Sequence, residues 1–333
     1  MPGGARWRWR GARVERIVAE QDMKPEIIEA IKRSAAVPSM PAVVVRFLEV
    51  IQDPDFTYDD VVRVLSADPG TVSEILRLAN SPLFGTRHDI TSLKTALTLL
   101  GPKRTRSLVL GRYLVESMGG RDVDGLDMSY AWRRSLVCAV VASQLAGRRR
   151  PQVREETFIS SLLADIGIPI LAQAMTEKYW PISERYVPYG IPVTPEDEVR
   201  AVGVHHAEVS AMVLDFWKLP EVVVAAVRMH QSPPEAVAGS NGEAARIAYF
   251  IHGADMISRL LCEIPDEASI EEQCRKAMEA ADCELTMLLD VLPKVESEVN
   301  ELAKLLRIDV VAGSVYDLLA RNVRELLAAP AVA

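Results

Sequence analysis

The chain has 333 residues, 49% of them hydrophobic and 25% charged, with a formal net charge of −8 and a mean hydropathy of +0.09. Such a composition excludes disordered, collagen-like and disulfide-scaffold classes, and the length allows two domains or one large helical domain with an appended module. No uninterrupted apolar run approaches the roughly 18 to 20 residues that a bilayer-crossing helix needs, so no membrane span is expected.

The chain opens on MPGGARWRWRGAR, basic and Trp-rich, without the apolar segment and small-residue cleavage site of a secretory signal. Residues 1–22 are read as a disordered basic tail or an upstream-start artefact, with Met23 the natural first residue. That tail counts five Arg against three acids, which leaves about 10 net negative charges on the remainder. So acidic a body is a poor general binder of nucleic acid, whose phosphates supply most non-specific affinity, and nucleic acid is not an expected partner.

From there the whole chain reads as helix, with apolar residues recurring at three- and four-residue steps and no alternating run bounded by hairpin dipeptides. The spacing predicts helices over Glu26–Ser34, Ala42–Gln52, Tyr58–Ala67 and Pro69–Ala79. Thr57 stands as a hydroxyl cap before Tyr58, and Asp68 before Pro69 gives an N-cap carboxylate with a first-turn proline. The stretch TYDDVVRVLSADPGTVSEILRLANS has the outline of a helix-turn-helix, but its second helix offers Glu74 and one cation, Arg77, with Asp68 at its start. Two packed helices are the better reading than a DNA-reading unit. His88 falls in the loop that follows.

Next come Ser92–Leu100, after the hydroxyl cap Thr91, and Lys103–Glu116, separated by Gly101-Pro102. Lys103, Arg104, Arg106 and Arg112 cluster on the second of these, either as a solvated face or as cations able to clamp the phosphates of a nucleotide second messenger. Ser129–Leu145, Glu155–Ala174, Glu196–Val202, His206–Trp217 and Pro220–Met229 follow. Gln231–Gly242 (QSPPEAVAGSNG) is the clearest linker. Beyond it the pattern predicts Glu243–Leu261, Ile270–Ala281 and Glu284–Leu306, the last with an apolar stripe from Leu285 to Leu306 that reads as core. Cys138, Cys262, Cys274 and Cys283 form no CxxC pair and are expected to be reduced thiols of a cytoplasmic protein. There is no G-x-S-x-G, P-loop or dinucleotide fingerprint.

One feature of the run LLADIGIPIL needs explaining: a carboxylate, Asp165, in an apolar helix-like segment. His205, His206 and His230 lie further on, and Asp255 again sits on an apolar helix. Imidazoles and carboxylates delivered by separate helices are what iron, manganese or zinc requires, although sequence position alone does not show that they converge.

The blocks VPSMPAVVVRFLEVIQDPDFTYDDVVRVLSADPGTVSEILRLANSPLFG, ITSLKTALTLLGPKRTRSLVL, AWRRSLVCAVVASQLA, SSLLADIGIPIL and HHAEVSAMVLDFWKLPEVVVAAVRMH resemble the HDOD family, signalling proteins related to the HD and HD-GYP phosphohydrolases. The resemblance runs from about Ser34 to His230. It implies an all-α, multi-helix bundle of HD-like type over 23–235, divided near 120 into an N-terminal helical subdomain and a degenerate HD-like bundle, with C-terminal helices over 236–333 packing on it. It also places Arg134 where the phosphohydrolases carry a first His, and Ala164 and Asp165 where they carry their His-Asp pair. His206 and His230 match later ligand positions, with Gln231 where a second His commonly follows, and Asp255 matches the distal Asp.

A guanidinium has no lone pair to donate and is charged at any accessible pH, so Arg134 repels a divalent cation. The expectation is therefore a broken metal site: no cofactor, no hydrolysis, Asp165 paired with Arg134 or helix N-termini, and His206 and His230 as satisfied core or helix-end histidines. The function implied is non-catalytic signalling, with the domain as a scaffold for another signalling protein or a small ligand. No fused receiver or cyclic-dinucleotide module is evident, so the output is expected to pass through a separate partner. The main alternative is a residual metal-dependent phosphohydrolase using Asp165, His206, His230 and Asp255; a DNA-binding regulator is the weaker one.

Overall fold

Thr57 accepts a hydrogen bond from the Asp60 amide while Asp60 accepts from the Thr57 amide, and this reciprocal cap starts the helix Tyr58–Leu65. Asp68 takes the amides of Gly70 and Thr71 and starts Pro69–Ala79, whose first proline gives up an amide that had no helical partner. Two signals absent from the expected caps act the same way: Asp127 accepts from the Tyr130 amide, and Thr194 forms a capping box with Asp197.

The computed structural model describes residues 25–34, 36–81, 84, 89–119, 123, 125–232, 242–263, 267–309 and 313–328. The basic tail, His88 and most of the Gln231–Gly242 linker lie outside the described residues. Among the described residues there is no strand. In chain order the helices are α1 (Pro25–Ser34), α2 (Ala42–Gln52), α3 (Tyr58–Leu65), α4 (Pro69–Ala79), α5 (Leu93–Gly119), α6 (Met128–Arg149), α7 (Arg154–Leu163) and α8 (Gly167–Ala174). They continue as α9 (Thr176–Ser183), α10 (Pro195–Val202), α11 (His206–Phe216), α12 (Glu221–Met229), α13 (Glu243–Glu263), α14 (Glu267–Ala280), α15 (Leu285–Leu306) and α16 (Ser314–Ala328).

Helix α6 is the axis. Val137, Ala139, Val140, Val141, Ala142, Leu145 and Ala146 are all buried, so its central stretch is enclosed by other helices. α13 lies along it most extensively, with α7 and α15 on its other faces. Its small residues allow that close approach. α4 and α5 pack together and meet α15, so the N-terminal helices and this late helix share one core. Glu298 of α15, itself buried, receives Arg104 of α5, Gln144 of α6 and Arg154 of α7.

The structure departs from the expected elements in three places. Glu155–Ala174 is two helices, α7 and α8, with Asp165 in the turn between them. Pro169 has no amide to return to the Asp165 carbonyl, which accepts instead from Ile168 at 3.0 Å, and the turn tightens. Residues 151–174 contain an 18-residue window long and apolar enough by composition to cross a membrane, but 83% of that window is buried inside the protein. Helices α9 and α16 were not anticipated. Gly101, at φ 73° and ψ 164°, joins the two halves of α5 at a sharp bend, in keeping with the Gly-Pro break.

Candidate functional site

The turn before α8 brings Asp165 to the first residue of α11 because Gly167 has no side chain. Its amide donates to Ser210 Oγ at 2.8 Å, and a Cβ there would stand 2.2 Å from the His206 carbonyl oxygen. α12 ends at Met229, which puts His230 beside His206. The result is one cluster from three segments. Asp165 Oδ1 lies 3.3 Å from His206 Nε2 and 3.4 Å from His230 Nε2, and the two Nε2 atoms are 3.4 Å apart. Both histidines are buried, and the Asp165 side chain is 27% exposed.

Each imidazole is held from behind. His230 Nδ1 donates to the Val227 carbonyl at 2.6 Å, and the His230 carbonyl accepts from His252 Nδ1 at 3.3 Å. His206 Nδ1 donates to Glu198 Oε2 at 2.7 Å, and the His206 amide donates to the same oxygen at 3.0 Å. Glu198, on α10, is fully buried and also receives the Tyr179 hydroxyl. Burial disfavours the imidazolium of His206, but Glu198 and Asp165 outweigh it and raise its pKa to about 10. Burial likewise works against charge on Asp165, yet His206 and His230 hold its carboxyl well below the usual range. His205, half-buried and beside the His206 charge, is pushed down to about 4.

Arg134 is not the partner of Asp165. It projects from α6 toward α13, the helix packed most closely on α6, and pairs with Asp255. Burial opposes its charge, but Asp255, Tyr130 and Asp165 overcome that and raise its pKa further. Its Nε has no hydrogen-bond partner. His206 and His230 are buried core and helix-end histidines with partners at both ring nitrogens, and their Nε2 atoms converge on Asp165. Ala164, buried in the same turn, supplies no donor atom.

Arg134, Asp165, His206 and Asp255 line a cavity of about 630 Å³ together with Ile168, Tyr186, Tyr189, Val193, Gln231, Met256, Arg259 and Glu263. Arg259 binds Glu263 and donates to the Gly190 carbonyl, tying the loop that carries Tyr189 to α13. The Tyr130 hydroxyl closes this chain on Glu263. Tyr189 itself is 69% exposed at the rim.

The second set of expected site residues is elsewhere and is engaged by carboxylates. Lys103 pairs with Glu156 at 2.7 Å, Arg104 with Glu298, and Arg112 with Glu116 at 2.9 Å. Arg106 is half-buried near Glu156, and desolvation lowers its pKa. Lys103 and Arg104 balance acids on other helices, and Arg112 balances one on its own. In the α3–α4 unit, Thr71 is buried and accepts from Arg112, and Ile75 and Leu78 are buried, so the supposed recognition helix turns that face into the core.

Glu198 was invisible in the sequence reading because it stands in an acidic first turn, PEDE, that resembles a solvated cap. The available signal was its position four residues before buried Val202, on the same helical face.

Comparison with known proteins identifies one family model, the HDOD domain, matching residues 37–233. An uncharacterised protein of Treponema pallidum (strain Nichols) is 26% identical over 203 residues, covering 60% of this chain and 38% of the relative. The chain thus spans less than two-fifths of that protein's length. Among solved structures, a supposed phosphohydrolase from Shewanella amazonensis SB2B superposes with a TM-score of 0.67 at 22% identity, covering 85% of this chain and 98% of its own. An HDOD domain protein of unknown function from Geobacter sulfurreducens gives 0.61 at 19% identity, over 84% and 98% of the two chains. At these identities the likeness establishes the fold.

Proposed function

This chain belongs to the HDOD family and is a regulatory HDOD protein, and from that premise we propose that it acts without catalysis, binding a small ligand in the cavity beside Asp165, His206 and His230 and passing that state to a signalling partner. The observation that carries this reading is the Arg134–Asp255 ion pair at the cavity wall. Metal-assisted phosphoester hydrolysis requires ligands that fix the ion and an activated water beside the substrate. Here a guanidinium stands at one position that the phosphohydrolases fill with His and also occupies the distal carboxylate, while Ala164 leaves another such position without a donor. The cavity volume falls in the range of small-molecule sites, and its lining mixes apolar walls with a few fixed polar groups, as such sites do.

The test is turnover of bis(p-nitrophenyl) phosphate and of cyclic dinucleotides in the presence of Mn²⁺, Fe²⁺ or Zn²⁺. The expected result is no turnover above the metal-only blank for the natural chain. A hydrolytic activity that disappears in Asp165→Asn would overturn the reading. The paired variant Arg134→His with Ala164→His asks whether restoring two donors is enough to start the chemistry.

A further inference from the structure

We infer that the cavity takes a small organic cation, an ammonium group carried on an apolar or aromatic body, and not a phosphate-bearing anion. This rests on the ligand-binding reading above and names the charge and shape that the ligand must bring.

Charge balance decides the sign. Among the lining residues Arg134, Arg259 and His206 stand against Asp165, Asp255 and Glu263, and Glu198 adds a fourth carboxylate directly behind His206. In this group the acids outnumber the cations even with the His206 ring charged. Each cation is also already held: Arg134 by Asp255, Arg259 by Glu263 at 3.0 Å and by the Gly190 carbonyl, and His206 by Asp165 and Glu198. An incoming phosphate would have to compete with a carboxylate for every one of them. The acids are less fully used. Among the described residues Asp165 and Asp255 make their contacts through Oδ1, and their side chains are 27% and 32% exposed, which leaves Oδ2 of each as an acceptor. The net charge of −8 on the whole chain acts in the same direction, drawing cations toward a cleft and repelling nucleotides.

The walls give the shape. Val193, Met256 and Leu260 offer apolar surface, and Tyr186 and Tyr189 offer aromatic rings. Tyr189 stands exposed at the rim with φ 62°, a left-handed backbone that residues with a side chain adopt only where their surroundings impose it. Its loop is braced from both sides. Arg185 donates to the carbonyls of Ile191 and Pro192 and pairs with Asp197 at 2.9 Å, and Arg259 donates to the carbonyl of Gly190. The loop is also tight, since a Cβ on Gly190 would stand 2.1 Å from the Arg185 carbonyl oxygen. A tyrosine fixed at the mouth of an acid-rich cavity presents a ring face to an ammonium ion, which the ring quadrupole attracts.

The experiment titrates the full chain near neutral pH with three molecules that share a phenyl body and differ in head group: 2-phenylethylamine, 2-phenylethanol and phenylacetate. Binding is followed by the Met256 methyl signal in methyl-labelled protein, assigned with Met256→Leu. The amine should bind about 10-fold more tightly than phenylacetate, the worth of one charge-assisted hydrogen bond, with the alcohol between them, and its affinity should fall as salt rises. Tyr189→Ala should weaken the amine about 2- to 5-fold, and Tyr189→Phe should retain it. Asp255→Asn frees the Arg134 charge, so it should narrow or reverse the preference of amine over phenylacetate, whereas a merely structural loss would weaken both together. If Asp255→Asn fails to fold, the two Tyr189 variants and the salt dependence decide. Equal binding of the three molecules, tighter binding of phenylacetate, or no shift of the Met256 methyl with any of them overturns the inference. A preference for phenylacetate leaves the ligand-binding reading standing with the opposite charge; phosphoester turnover would overturn the non-catalytic reading and not this one.

Discussion

Replacing Gly167 by Ala tests how the cluster is assembled, because two effects of opposite sign compete at that position. A helix gains roughly 0.5 to 1 kcal/mol when Gly becomes Ala, since the unfolded glycine is the more disordered. Against this, the new Cβ would meet the His206 carbonyl oxygen at 2.2 Å and Ser210 Oγ at 2.9 Å, both well inside van der Waals contact. The first of these is backbone in the opening turn of α11 and has no rotamer to escape into. α8 and α11 must therefore separate by about 1 Å, which costs about 1 to 3 kcal/mol in overpacking. The amide bond from Gly167 to Ser210 is strained or lost in the same movement, a further 1 to 3 kcal/mol or so for a buried donor. The expected net loss is about 3 kcal/mol, read as a lower urea midpoint at unchanged m-value by circular dichroism. Gly253→Ala is the control: its Cβ would meet the Ala277 carbonyl oxygen at 2.4 Å between α13 and α14, away from the cluster. Both variants should be destabilised, but only Gly167→Ala should also shift the imidazole NMR signals of His206 and His230. A Gly167→Ala protein as stable as the natural one would refute the close approach on which the placement of Asp165 rests.

Three further outcomes follow from the same contacts. Asp255→Ala strands a largely buried guanidinium and should cost about 3 to 5 kcal/mol, whereas Arg134→Ala leaves a carboxylate that is 32% exposed and should cost less; a urea-denaturation double-mutant cycle should give a coupling of about 1 to 3 kcal/mol, and strict additivity would contradict the pair. Glu298→Ala removes the common acceptor of Arg104, Gln144 and Arg154 and should lower stability by about 3 kcal/mol, with amide exchange accelerated in α15 relative to α12. Asp68→Ala should cost about 1 kcal/mol near pH 7 as a lost helix cap. Although partial burial raises the Asp68 pKa, its hydrogen bonds to Thr71 and Gly70 and the Arg112 charge lower it below its ordinary unfolded value. The stabilisation is accordingly present above that unfolded value and lost as pH falls through the folded one, so the difference between the two proteins should shrink in acid.

Much of the fold was legible because its signals are local. The caps at Thr57 and Asp68, the Gly101-Pro102 break and the apolar periodicity of α6 need only a few neighbouring residues to act. The site was legible in part. A carboxylate in an apolar run pointed to Asp165, and His206 and His230 stood out as imidazoles beside buried helices. What the sequence did not carry was pairing across helices: which of two carboxylates Arg134 reaches depends on α13 lying against α6, a fact of packing and not of spacing. Glu198 shows the same limit from the other side, since an acidic first turn is ordinary chemistry until the tertiary fold closes over one of its members. Its role depends on Gly167 allowing α11 to approach, and a missing side chain is a weak signal in a single sequence.

The α6 axis decides where this protein can be divided. The family match stops at residue 233, but α13, which begins at Glu243, covers the length of α6 and brings Asp255 to Arg134. Sequence similarity and cooperative folding therefore have different borders here. A fragment ending at the family border would uncover an apolar helix with no compensating neighbour and leave a guanidinium facing water-excluded space, and it should be recovered as aggregate. Any grafting of this domain onto another protein should carry the helices through α16 as one piece.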